Sequence, residues 1–236
     1  MAVLHALGLG PGDPELVTLK ALRLLRNAAA IAYPAPEHGP SFARAIVAQW
    51  LDGAQRELPI RFPMRPGPPP AVVYDRAAAA LAAELDRGAP VAFLCQGDPL
   101  LYGTFIELLD RLAPHYPVEV VPGVSSVTAC AAATLIPLAA RDTTLSVIPA
   151  TLPDAELTRR LAAAEAAAVI KLGRHFAKVR RVLESLDRVD GAIYVERASL
   201  PTQRVLPLAA VDPDTVPYFS MALVRARTYR AVATPT

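Results

Sequence analysis

Lysine is scarce in this chain: only Lys20, Lys171 and Lys178 occur among 24 basic residues, and the formal net charge over 236 residues is +2. The arginines that make up the rest are scattered rather than gathered in a stripe, which excludes a surface built to follow a nucleic-acid backbone. Cysteine is limited to Cys95 and Cys130, both inside apolar runs and without C-x-x-C or Cys/His spacing. That pattern predicts buried thiols in a reducing compartment, neither a disulfide nor a zinc site. The four histidines, His5, His38, His115 and His175, are dispersed, and no H-E-x-x-H, nucleophile motif or G-K-[ST] phosphate cradle occurs. The N-terminus lacks a basic segment followed by a long apolar core and a cleavage site, so no signal peptide is indicated and a cytoplasmic location is expected. One stretch, Val124 to Ala140, is uncharged, but Ser125, Ser126, Thr128, Thr134 and Pro137 interrupt it. It reads as a buried helix followed by a turn, and no membrane association is expected.

What is present describes a folded, well-cored protein with many turns: 53% of residues are hydrophobic, with 12 glycines and 24 prolines. The first half alternates strand and helix. Val3 to Leu7 reads as a strand, and Thr18 starts a helical pattern with Leu19, Leu22 and Leu25 on one face. A strand over 30–33, an amphipathic helix over 41–51, an alanine-rich helix over 71–87 ended by Gly88, and a strand over 90–95 follow. Next come a helix over 106–112, a strand over 118–121 and the uncharged helix. This order is the signature of a parallel sheet covered by helices. Beyond about residue 140 the pattern predicts strands over 145–148, 169–172 and 192–195 with helices over 154–164 and 175–185 between them. The tail from Arg204 reads as antiparallel strands. The fold class is therefore α/β: an N-terminal α/β domain over 1–138 and a C-terminal one over 139–236 that includes antiparallel strands, with a ligand site expected in the cleft between the two. Ligands in such folds bind at the carboxyl ends of strands and between domains, so the loops after Leu7, Cys95, Val121 and Leu172 are the ones to read for chemistry. The run PGPPP at 66–70 reads as a stiff linker, and ELDRGAP at 84–90 as a helix end with solvated charges.

The first of these loops, GLGPGDPELVTL at 8–19, partly fits the dinucleotide template G-x-G-x-x-G through Gly8 and Gly10, but Asp13 stands where the third glycine belongs. Asp13 and Glu15 would repel a phosphate. The loop suits a ligand without phosphates, unless its glycines and prolines serve only a strand-to-helix turn.

Four segments stand together: GLGPGDPELVTLKALRLLRNA (8–28), QGDPLLYGTF (96–105), VPGVSSVTACAA (121–132) and VERASLPTQRV (195–205). In kind and order they resemble the tetrapyrrole (corrin/porphyrin) methyltransferase family across nearly the full chain. The segments YPAPEHGPSFARAIV, LYGTF and YVERASLP make it most similar, within that family, to precorrin-2 C-20 methyltransferases of cobalamin synthesis. The resemblance implies S-adenosylmethionine as methyl donor with no metal required, a precorrin-2 substrate converted to precorrin-3A, and a homodimer. It carries cofactor contacts onto Pro11, Gly97, Asp98, Leu101, Tyr102, Ser125, Ser126 and Leu172, and onto Phe219 and Ser220 through PYFS. A sulfonium is cationic and an adenosyl group carries no phosphate, which accounts for a loop without phosphate-binding charges. The eight carboxylates of precorrin-2 call for guanidinium donors, and Arg44, Arg141, Arg174 and Arg197 lie in or beside the family-like loops. No catalytic residue is singled out. Displacement at an activated sulfonium chiefly needs two substrates oriented and water excluded. Uroporphyrinogen methyltransferases carry an Asp after the tyrosine that ends the second strand, in a pattern like Y-D-x-L-V; here Tyr33 is followed by Pro34, which favours an electron-rich meso carbon over a pyrrole-ring carbon, unless Pro34 only ends the strand and Glu37 or another nearby acid serves as base. The alternatives are a cobalt-precorrin-2 or uroporphyrinogen-III type of methyltransferase and a non-catalytic tetrapyrrole-binding protein. A nicotinamide oxidoreductase is disfavoured by Asp13.

Overall fold

A computed structural model describes residues 2–62 and 70–225. The chain divides into two compact units, Met1–Ser125 and Ser126–Thr236. The first holds a five-stranded sheet made of β1 (Leu4–Gly8), β2 (Ala30–Pro36), β3 (Arg56–Phe62), β4 (Val91–Cys95) and β5 (Val118–Val121). Their order is β3-β2-β4-β1-β5, and every pairing is parallel. The crossovers contain α1 (Leu19–Asn27), α2 (Phe42–Val47), α3 (Ala71–Leu85) and α4 (Phe105–Leu112). Helices cover both faces, and the strands show it: alternate residues feed two cores. Leu4, Ala6, Ala32 and Phe93 pack with residues of α3 and α4, while Leu7, Ile31, Ala92 and Leu94 pack with residues of α1 and α2. Phe93 lies 5.5 Å from Phe105, centroid to centroid, and both are fully buried. Truncating Phe93 to Ala costs about 3 to 5 kcal/mol by the usual large-to-small scale.

Local signals set the helix starts. Thr18 caps α1, its Oγ1 accepting from Ala21 N at 3.1 Å, and Ser41 caps α2 by accepting from Arg44 N at 3.3 Å. The expected helix over 41–51 is shorter, α2 giving way to a 3₁₀ turn at Ala48–Trp50. Strand β3 was not expected at all: Arg56, Glu57, Pro59 and Arg61 hide it, because an edge strand tolerates proline and solvated charge.

The second unit has α5 (Ser126–Thr134), β6 (Leu145–Pro149), α6 (Asp154–Ala163), β7 (Ala166–Ile170), α7 (Phe176–Ser185), β8 (Ala192–Glu196), β9 (Arg204–Pro207) and β10 (Ser220–Val224). Its sheet runs β6-β7-β10-β8-β9; only β6 and β7 are parallel, and the rest are antiparallel. Helix α5 packs against β8 and β10, whereas the reading from sequence divided the chain after it, at 138. This helix is half-buried rather than buried all round: Val127, Ala129, Cys130 and Thr134 face inward, while Ser126 and Thr128 are exposed. Strand β7 begins three residues before its expected start, since alanine has little strand preference, yet Ala166 to Ala168 are buried in the sheet. Leu172 accordingly lies past the strand, leading a 3₁₀ turn at Gly173–His175. Both cysteines are buried and unpaired. Among the described residues no helix is long and apolar enough to cross a membrane, and no group of three His, Cys, Asp or Glu side chains is placed to hold a metal ion. Of the PGPPP run, all but Pro70 lies outside the described residues.

Candidate active site

In the first unit the loops after β4, β1 and β5, three neighbouring strands, meet at their carboxyl ends. Gly10 and Gly97 form an isolated antiparallel bridge, with Gly97 N donating to Gly10 O at 2.7 Å and Gly10 N to Gly97 O at 3.3 Å. The loop after β5 packs directly on that bridge. A Cβ on Gly8 would stand 2.6 Å from Gly123 Cα, and one on Gly123 would stand 2.7 Å from Gly8 Cα and closer still to the Gly97 carbonyl oxygen. Only glycine permits this backbone-on-backbone contact. Asp98 fastens the junction: its Oδ1 accepts from Leu100 N at 2.9 Å and its Oδ2 from Gly123 N at 3.0 Å. Asp13 has a cap role, accepting from Glu15 N at 2.9 Å at the start of the 3₁₀ turn Pro14–Leu16.

One position in this junction differs from the others. Gly97 has φ +69, and nothing lies within 4 Å of where its Cβ would be. The tightly packed glycines serve the fold, whereas Gly97 faces open space. Beside it, Leu100, Leu101 and Tyr102 form an apolar lip, each more than 40% exposed, with Tyr102 at φ +55. Pro11 is buried behind the bridge. Ser125 is half-buried at the end of the unit, and Ser126 is exposed at the first turn of α5. The structure thus brings Gly97, Asp98 and Gly123 into one junction, with Pro11 next to Gly10 in the chain.

In the second unit, Leu172, Phe219 and Ser220 converge although 47 residues separate Gly173 from Ser220 in sequence. Gly173 N donates to Ser220 Oγ at 3.4 Å, and that hydroxyl donates to Pro217 O at 2.6 Å. Leu172 is fully buried, so its side chain serves the core and only its backbone is available to a ligand. Phe219 stacks edge-on to Tyr218 at 5.3 Å, both rings exposed. Arg197 joins this group, for its backbone N donates to Phe219 O at 2.9 Å.

Of the other arginines, Arg174 lies in the 3₁₀ turn next to Gly173, while Arg44 and Arg141 lie in other elements. Arg44 grips Glu57 with two nitrogens, at 2.6 and 2.7 Å, and Tyr33 donates to the same carboxylate at 2.5 Å. The Arg44 guanidinium holds the Glu57 carboxyl down at about 2, and burial raises Tyr33. Arg44 is therefore engaged within the protein. Arg174 is exposed beside His175, and Arg141 is exposed in a turn at φ +51. Sequence reasoning passed over Tyr194, Glu196 and Arg204. A glutamate closing an apolar strand, flanked by arginines in VERASLPTQRV, was the available signal.

The family model for Tetrapyrrole (Corrin/Porphyrin) Methylases matches residues 3–212. The chain is 46% identical over 99% of its length to the Cobalamin biosynthesis protein CobIJ of Mycobacterium tuberculosis, but covers only 48% of that protein, so it spans about half the length of this relative. It is 41% identical to the Precorrin-2 C(20)-methyltransferase of a Sinorhizobium species, covering 94% of both chains. Among solved structures, Uroporphyrin-III C-methyl transferase from Thermus thermophilus, complexed with S-adenyl homocysteine, superposes with a TM-score of 0.70 at 26% identity, covering 94% of this chain and 97% of that one.

Proposed function

Given that the chain belongs to the tetrapyrrole (corrin/porphyrin) methylase family, we propose that it is an S-adenosylmethionine-dependent C-methyltransferase that methylates precorrin-2 at C-20 to give precorrin-3A. The substrate follows the name of the Sinorhizobium relative, which aligns with this chain over 94% of both lengths. The observation that supports the cofactor is the open space at Gly97: backbone at a strand end with no protein atom within 4 Å of an added Cβ, beside the exposed Leu100, Leu101 and Tyr102 and without lysine or arginine in its loop. An adenosyl thioether, neutral or cationic at sulfur, suits that surface where a pyrophosphate does not.

The Gly97 region, Pro11, Leu101, Tyr102, Ser125 and Ser126 are the proposed cofactor contacts of the first unit, and Leu172 backbone, Phe219 and Ser220 those of the second. When bound, S-adenosylmethionine supplies an electrophilic methyl group on a positively charged sulfur. Asp98 holds two loops in register through its two backbone hydrogen bonds and leaves one negative charge beside Gly97. Leu100, Leu101 and Tyr102 exclude water from whatever covers them, which strengthens the electrostatics of the displacement. No side chain follows Tyr33 that can accept a proton, since Pro34 stands there with its carbonyl accepting from Ser41 Oγ at 2.6 Å. The proposed target is therefore a meso carbon already electron-rich by conjugation to ring nitrogens. Arg197 is the leading substrate contact, ahead of Arg141 and Arg174, and Arg44 is the weakest because Glu57 holds it. The active form is proposed to be a cytoplasmic homodimer.

The test is carbon NMR of product made from precorrin-2 and a carbon-13 methyl donor. One new methyl on the meso bridge is expected. Label on a pyrrole-ring carbon would move the chain to the uroporphyrinogen type, turnover only with a cobalt-bearing substrate would change the substrate, and no turnover with intact cofactor binding would leave a tetrapyrrole-binding protein.

A further inference from the structure

The carboxyl end of β8 carries a polar network that methyl transfer does not explain. Glu196 is buried, 3% exposed, at the end of a strand whose other inward residues are apolar. Burying a carboxylate is costly unless every lone pair finds a donor. Here one oxygen accepts from Tyr194 OH at 2.5 Å, and the other lies 3.4 Å from Arg204 Nη1 and 3.6 Å from Arg197 Nη1. Tyr194 is fixed in turn, its ring edge-on to Phe176 at 5.8 Å, and burial together with the Glu196 contact keeps its phenol protonated. Arg197 is fixed at its backbone as well, at φ +49 with its N–H on the Phe219 carbonyl.

The charge count is uneven. Two guanidiniums share one carboxylate, which leaves a net positive charge, and both arginine side chains are about half exposed. One guanidinium would already balance the charge of one carboxylate. Two half-exposed guanidiniums that reach the same carboxylate oxygen through one nitrogen each keep further N–H donors, which suits them to a second carboxylate. The register puts this pair at the sheet end that carries the proposed cofactor contacts of the second unit. Glu196 is opposite Ser220 on β10 and Arg204 on β9, so the arginines share an end of the sheet with Gly173, Phe219 and Ser220.

We infer that Arg197 and Arg204 together receive one peripheral carboxylate of the tetrapyrrole substrate, and that Glu196 and Tyr194 are positioning residues that hold the two guanidiniums beside each other. The inference rests on the proposed tetrapyrrole substrate and adds a named subsite to it. It makes the enzyme selective for a ring whose side chain at that place ends in a free acid.

The experiment measures KM and kcat with precorrin-2, S-adenosylhomocysteine affinity by calorimetry, and, as a separate probe, fluorescence titration with uroporphyrin, a stable ring carrying eight carboxylates. Arg204→Ala raises KM for precorrin-2 by about tenfold or more, with kcat and cofactor affinity within twofold of wild type; Arg204→Lys recovers part of the loss. Glu196→Gln separates positioning from simple attraction. If only net charge mattered, removing the carboxylate would lower KM, whereas loss of alignment raises it. Tyr194→Phe moves KM in the same direction by less. Uroporphyrin affinity falls in parallel. Unchanged KM in Arg204→Ala, a lower KM in Glu196→Gln, or equal losses of cofactor and substrate affinity would each overturn the inference. A wild-type protein inactive on precorrin-2 yet binding uroporphyrin through Arg204 would overturn the functional reading and leave the subsite standing; wild-type failure with both ligands would overturn both.

Discussion

Alanine at three glycines separates the packing of the loop junction from its ligand contact. Gly123→Ala places a methyl 2.7 Å from Gly8 Cα and nearer still to the Gly97 carbonyl oxygen. Those are backbone atoms of two strand ends, which cannot step aside as a side chain would, so the substitution belongs at the severe end of overpacking, about 3 kcal/mol. For a domain of this size that lowers Tm by roughly 6 to 12 °C. Gly53→Ala is the control: φ is +81 and nothing lies within 4 Å, so only the backbone strain of about 1 to 2 kcal/mol applies. Gly97→Ala carries the same strain at φ +69 in the same empty surroundings, and its Tm should match that of Gly53→Ala. Its binding should not. The new methyl enters the space assigned to the cofactor, and S-adenosylhomocysteine affinity falls by about tenfold, equivalent to about 1.4 kcal/mol, while Gly53→Ala binds like wild type. Thermal melts and calorimetry on the three variants suffice. If Gly97→Ala retains affinity the pocket lies elsewhere, and if Gly123→Ala melts with Gly53→Ala the junction is looser than described.

Other substitutions test the supports around the site. Glu57 is held at about 2, below its ordinary 4.5, chiefly by its hydrogen bonds to Arg44; the pair therefore contributes fully above about pH 4.5 and its contribution is lost as pH falls through about 2. Being partly exposed it is worth at most about 1 kcal/mol, and urea melts of wild type and Arg44→Ala should converge over that acid range rather than at neutral pH. Arg188→Ala strips donors from the carbonyls of Leu161, Ala164 and Glu165, which the buried guanidinium meets at 2.6 to 2.7 Å; a loss of about 3 kcal/mol and a Tm lower by roughly 6 to 12 °C are expected, with little rescue by lysine, whose single ammonium cannot span the three. Light scattering should give about twice the 25.1 kDa chain mass, and a monomer would refute the proposed dimer.

The first unit was legible because its strands are short apolar runs set off by glycine and proline, and its helices begin at hydroxyl caps such as Thr18 and Ser41. What failed there failed for a physical reason. An edge strand has one solvated side, so Arg56, Glu57 and Arg61 could be charged and Pro59 could lack a donor without leaving the sheet. Alanines 166 to 168 fell outside the expected strand because alanine has little strand preference, although their sheet position is buried.

The loops were legible by composition, but their partners were not, since periodicity carries no information about which distant backbones will touch. The glycines of the opening loop read as an approach to a ligand; Gly8 in fact approaches Gly123, and of the glycines at this junction it is Gly97, in a different loop, that has the open space that reading required. Asp98 shows the same division. As a residue before proline it reads either as a turn former or as a ligand contact, and its carboxylate does the first at Leu100 and joins the PGVSS loop at Gly123 as well. A side chain that fastens two site loops together affects binding without touching the ligand. Loss of cofactor affinity on replacing Asp98 would therefore say little about contact, whereas loss on replacing Gly97, whose Cβ meets no protein atom, has no such structural explanation beyond the strain that Gly53 shares.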